Sequence, residues 1–158
     1  MDGGAIAAAV IFSVFALAGA WLDLRTQRIP NRLNAAFLLA GLIVVLVVFG
    51  WLIALWALAH FALALAAAMI IYAAGLWGGG DAKFYAAAAA WFPLTQGIAL
   101  AVCVALAGLV LLLGMAISAA LNKRKLTRKT DTPYGVAIAL GGIAVQLFTL
   151  SGSLPAPG

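Results

Sequence analysis

The chain has 158 residues, 67% of them hydrophobic and 8% charged, with nine Lys and Arg against four acidic residues. A mean hydropathy of +1.19 lies outside the range of soluble globular domains and reads as an integral membrane protein. The single cysteine, Cys103, excludes a disulfide within one chain and any all-cysteine zinc site, and reads as a small core or lipid-facing residue.

Apolar runs broken by Gly, Pro and charge predict six spans in one domain over residues 1–158, an all-α polytopic bundle. The first, near 4–22, lacks a basic n-region and continues to Trp21, so it reads as a full-length helix and not as a cleaved signal. A basic connection at 23–34 leads to the second span at 35–51 and the third at 56–77. The third holds His60, read as a packed or interfacial residue near the outer end. The fourth, 82–94, follows "GGGD" at 78–81. Its thirteen residues cover only about 20 Å as a helix, which leaves a re-entrant segment as the alternative. The fifth span is predicted at 97–121 and the sixth at 135–151, ahead of a short external tail. The Ala86 to Ala90 run reads as packing surface, since small residues let membrane helices approach closely.

Charge orients the bundle. With six crossings, the connections at 23–34, 78–83 and 122–134 share one side. They hold every basic residue: Arg25, Arg28 and Arg32, then Lys83, then Lys123, Arg124, Lys125, Arg128 and Lys129. The positive-inside rule makes that side the cytoplasm and puts both termini outside it. A fourth segment that failed to cross would export the cluster at 123–129, so the crossing is kept. Tryptophans agree, with Trp21 and Trp77 expected at the inner boundary and Trp51, Trp56 and Trp91 at the outer one. Basic loops beside anionic lipid account for the net charge of +5 without nucleic acid.

Four aspartates are the whole acidic inventory. Asp2 reads as a solvated terminal residue and Asp131 as a solvated or salt-bridged loop residue. Asp81, before "AKFYAAAAAW", suits a helix N-cap, but the Gly78, Gly79, Gly80 triplet leaves bare backbone beside it, where a second chain can approach. Asp23 ends the first span, where the helix dipole disfavours an anion, so capping cannot explain it. A salt bridge to Arg25 or Arg28 is the structural alternative. The same dipole places a shared proton on Asp23 and the charge on Asp81, with Arg25 and Arg28 opposing.

Two carboxyls at one depth that come within hydrogen-bonding distance do not both ionise comfortably: one keeps a proton and the other is a base. Such a pair hydrolyses a peptide bond by activating water, with no nucleophilic side chain. A serine triad needs a histidine, and His60 is away from the acids. A zinc site needs several ligands on one face, and "GGGDAK" lacks the P-loop spacing. No metal or cofactor is expected.

Three segments, "DLRTQRIPNRLN" at 23–34, "GGGDAK" at 78–83 and "TPYGVAIALGG" at 132–142, resemble in content and order those of the type IV prepilin leader peptidases, polytopic aspartic proteases of the Gly-x-Gly-Asp class. The resemblance implies that Asp23 and Asp81 are the catalytic pair, with Gly78 and Gly80 the motif glycines. It also marks Pro30 and Asn31 in the first segment, Lys83 as the basic position after the motif, and Pro133 and Gly135 at the turn into the last span. It implies prepilin or pseudopilin substrates, cut at the cytoplasmic face of a prokaryotic cytoplasmic membrane after a short basic leader ending in glycine. Longer members carry a cytoplasmic region between the first two spans, usually with paired Cys-x-x-Cys motifs and associated with N-methylation. The connection here is about eleven residues without cysteine, as in short peptidase-only members serving tight-adherence (Flp) pili or archaeal flagellin-like proteins. Two other classes fit a small membrane protein with these acids: a non-enzymatic scaffold of pilus assembly and a cation-coupled transporter. Transport favours acids near the bilayer midplane on broken helices, whereas these lie at one face.

Overall fold

The computed structural model describes residues 3–122 and 132–155. Its elements are α1 (Gly3–Thr26), α2 (Asn31–Phe49), α3 (Trp51–Ala73), α4 (Gly79–Ala89), a 3-10 turn at Leu94–Gln96, α5 (Gly97–Leu121) and α6 (Tyr134–Leu150). Gly3–Thr26, Asn31–Phe49, Trp51–Ala73 and Leu94–Leu121 are long and apolar enough to cross a membrane, and α6 is apolar with 17 residues. Over the described residues the chain is an all-α membrane bundle of six helices.

Boundaries moved for local reasons. α1 runs one turn past residue 22 and stops where Gln27 takes φ 51, its N–H bonding Asp23 O at 2.8 Å. Asp23 is therefore inside the helix and not beyond it. Pro30, extended at φ −64 and ψ 140, opens α2 four residues ahead of expectation. Gly50, at φ 90 and ψ 171, alone separates α2 from α3, in a conformation only glycine adopts readily. α3 thus starts at Trp51 and not at 56. It also ends early, because Gly75 at φ 74 closes a Schellman turn, Leu76 N–H bonding Ile71 O and Gly75 N–H bonding Tyr72 O. Trp77 is left in the connection.

Helices α5, α6, α1, α2 and α3 neighbour one another in that order, forming an open ring. α4, at 11 residues and so about 16 Å long, sits inside it against α2, α3 and α6. Its Ala86 to Ala90 run is buried, as expected of a packing surface. Phe84 on one face of α4 seats at Gly19 of α1, and Trp91 after its end seats at Gly41 of α2. Phe12, Phe37, Phe84, Trp91 and Phe92 form the central plug, with ring centroids between 5.3 and 5.6 Å apart. Since lipid is as apolar as these side chains, the contacts hold the bundle by packing density and not by escape from water.

Trp91 corrects an expectation. It is 3% exposed and its Nε1–H donates to Phe37 O at 3.0 Å, so it is a core residue and not an outer-boundary anchor. The turn that follows the short α4 lies within the bundle, which carries the indole inward. Trp51 and Trp56 are exposed in the first turns of α3, and Trp21 is exposed on α1.

Candidate active site

The α1–α2 connection, the glycine segment before α4 and the residues entering α6 meet at one end of the bundle, as the alternation of charged loops anticipates. Asp23 projects inward from the last turns of α1, buried, and its Oδ2 accepts the N–H of Gly135 at 2.8 Å. Gly135 is the second residue of α6, whose N-cap is Pro133. An Asp at the unfavourable end of one helix is thus docked on the favourable end of another, which stabilises its anion. Arg25 stacks over the Trp21 ring at 4.3 Å, and the bond that holds Asp23 comes from α6.

Asp81 is the third residue of α4 and not its N-cap, which is Gly78. Its Oδ2 accepts the Gly78 N–H at 3.2 Å, so it serves the helix start and still faces open space. Both carboxyls line one cleft of about 640 Å³, walled also by Gln27, Trp77 and Tyr134. A second cleft of about 570 Å³, on the side of Arg28 to Asn31 and Gly78 to Gly80, is lined by the same two aspartates. Burial first, then the neighbouring Asp23 charge, push the Asp81 carboxyl up to about 6, against the lowering effect of the Gly78 N–H. Each carboxyl accepts one backbone N–H at the start of a helix, Asp23 from Gly135 of α6 and Asp81 from Gly78 of α4.

A Cβ on Gly78 would meet Asp81 Oδ2 at 2.9 Å, one on Gly79 would face the Tyr72 ring, and one on Gly80 would touch the Ile29 backbone at 3.5 Å. The bare sides are turned toward this chain's own atoms. At Gly135 a Cβ would lie 2.8 Å from Asp23 Oδ2, closer than real Cβ atoms come, and 3.0 Å from Ile29 Cδ1. Ile29, buried, is the wedge that Gly135 accommodates, and it lies against Gly80 at ordinary contact distance.

Lys83 Nζ donates to Asn31 Oδ1 at 3.0 Å, tying the exposed face of α4 to the first residue of α2. Asn34, which sequence reasoning passed over, is buried and its Nδ2 donates to Gly80 O at 3.4 Å, steadying the glycine segment from the α2 side. Ile29 and Tyr134 were also missed as site residues. Ile29 stands directly before Pro30, and Tyr134 directly after Pro133, so the two prolines were the available signals. His60 is not at this site: it is buried with Nδ1 3.0 Å from Phe92 O. Asp2, Asp131 and the five basic residues at 123–129 lie outside the described residues.

A family model described as "Type IV leader peptidase family" (Peptidase_A24) matches residues 10–113, more than half of the chain. The matched stretch includes Asp23, the glycine triplet and Asp81, and stops before α6. No curated protein and no solved structure matches the chain.

Proposed function

The chain belongs to the type IV leader peptidase family, and from that premise we propose that it is a membrane-embedded aspartic endopeptidase. It removes the short basic leader of prepilin-like proteins through water activated by Asp23 and Asp81. The observation that carries this is the pairing of two carboxyls on one cleft, from α1 and α4, with the Asp81 carboxyl pushed up by burial and by Asp23.

In this reading Asp23 is the base and Asp81 the acid. Asp23 takes a proton from water as its oxygen bonds the scissile carbonyl carbon, and Asp81 gives its proton to the carbonyl oxygen. A neutral gem-diol results. Asp23 then protonates the amide nitrogen, the C–N bond breaks, and one diol hydroxyl returns its proton to Asp81. Both carboxyls end as they began, and no group beyond water is consumed. The Gly135 N–H holds Asp23 in place and favours its anion at the start of the cycle.

Arg25, Arg28, Arg32 and Lys83 lie at or beside the end of the bundle that holds the pair, which by the positive-inside rule faces the cytoplasm. That is the side where a basic leader waits if its apolar helix is already in the membrane. The short α1–α2 connection supports a peptidase without a methyltransferase region.

The test is co-expression with candidate prepilins, reading leader loss on a gel. Asp23→Asn and Asp81→Asn each keep an oxygen for the backbone N–H, so each should fold and lose cleavage on the order of 10³-fold or more. Normal cleavage by either variant overturns the pairing. A scaffold tolerates Asp23→Asn, and a cation carrier loses uptake with no change in prepilin size.

A further inference from the structure

The ring of helices is open at one place. α3 and α5 each pack against the 3-10 turn, but below it a groove of about 540 Å³ separates them. Its floor is Ala68, Val104 and Gly108, all buried, and its rim includes Ala101, Ala105 and Leu112, exposed. From Ala101 to Leu112 the α5 wall rises about 16 Å, or three helical turns. Small residues along both walls allow another helix backbone to come close.

The groove does not end blindly. Trp77 and Tyr134 line both it and the carboxylate cleft, with ring centroids 5.9 Å apart, and Tyr85 of α4 stacks edge-on to Trp77 at 5.4 Å. Apolar walls thus give way, at one pair of rings, to the space in front of Asp23 and Asp81. An occupant that fits both halves is a polypeptide with an apolar helix joined to a polar strand.

Resting on the aspartic-peptidase reading, we propose that the α3–α5 groove docks the apolar helix of the substrate, and that Trp77 and Tyr134 mark where the helix ends and the extended, cleavable strand begins. The helix must end there, because its carbonyls are engaged in i to i+4 bonds and are shielded from attack by water. An acyl chain would fill the groove but has no peptide to present to the carboxyls beyond the rings.

The experiment compares two substrates, a prepilin-like protein with its apolar helix and a leader peptide truncated before the helix. Ala105→Phe fills the groove and should lower the ratio of kcat/KM for the first over the second by about tenfold or more. Val47→Phe, on the exposed face of α2, should leave the ratio as it is. Independently, in a Cys103→Ala, Asp81→Asn background, Ala105→Cys should form disulfides with cysteines placed along the substrate helix at a spacing of three to four residues, and Val47→Cys should not. An unchanged ratio, or cross-linking at Val47 equal to that at Ala105, overturns the groove while leaving the peptidase reading intact. If the unaltered chain cuts neither substrate, the peptidase reading fails and takes this one with it.

Discussion

Buried polar side chains occur at both ends of this bundle, and they behave oppositely. At the end away from the charged loops, Gln96 is as buried as Asp23, yet its Nε2 reaches Thr149 Oγ1 at 3.3 Å and Pro155 O at 2.8 Å. His60 beside it faces Phe92 O, with Gly97 leaving room for its ring. Those groups are spent on closing the fold. At the loop end, Asp23 and Asp81 accept one backbone N–H each and turn the rest toward a cleft of about 640 Å³. An ionised carboxyl has about four acceptor positions, so a single backbone N–H does not fill either one. Burial alone does not mark chemistry; burial with capacity left over does.

The largest effect expected from breaking this contrast, after loss of an aspartate itself, comes from Gly135→Ala. Its Cβ would fall 2.8 Å from Asp23 Oδ2, forcing the carboxylate or the start of α6 to move. A displacement approaching 1 Å at a reacting group costs on the order of 10²-fold in rate. The check is kcat/KM for leader removal together with melting in detergent. A variant that folds and cuts within threefold of the parent removes Gly135 from the mechanism.

A smaller effect, and a sharper one, is the response to pH. Asp81 is raised to about 6 from 3.8, so the folded chain holds a proton there that the unfolded chain has released. The stabilisation is fully present below pH 4 and is lost as pH rises through about 6. Melting temperature should therefore fall over that window, and Asp81→Asn should flatten the slope. The acid member must keep its proton, so kcat/KM should decline above about pH 6, as a limb belonging to the pair. A bound peptide displaces water from the cleft and should move the kcat limb higher. Activity that keeps rising through pH 8 contradicts Asp81 as the acid.

Much of the loop end was legible because charge is rare in this chain. With four acids and nine basic residues, Asp81 behind three glycines stood out, and loop alternation put Asp23 at the same end. What was not legible was the partner of each. Asp23 is held by a residue 112 positions away, and no local pattern announces that contact. Helix ends failed where a glycine signal was underweighted, at Gly50 and Gly75. Trp91 failed for another reason: a tryptophan at the end of an apolar run reads alike whether the run stops at a membrane boundary or turns inside the protein. Only the shortness of α4 hinted at the second.

The smallest effect tests the other side of the contrast. Gln96→Leu keeps the side chain's size and removes its two donated bonds, stranding Thr149 Oγ1 and Pro155 O of their shared partner. Hydrogen bonds between helices in a bilayer are worth about 0.6 to 2 kcal/mol, which at this chain length moves the melting temperature by only about 2–4 °C per kcal/mol. Because Gln96 is spent entirely on closing the far end, the loss should appear in melting and not in kcat/KM, and the pH profile should keep its limb. Should Gln96→Leu lower kcat/KM tenfold at a temperature where it is fully folded, the two ends are coupled, through α6, which carries Thr149 near one end and Gly135 at the other. The division between a closing end and a reacting end would then give way to a single strut whose position both ends set.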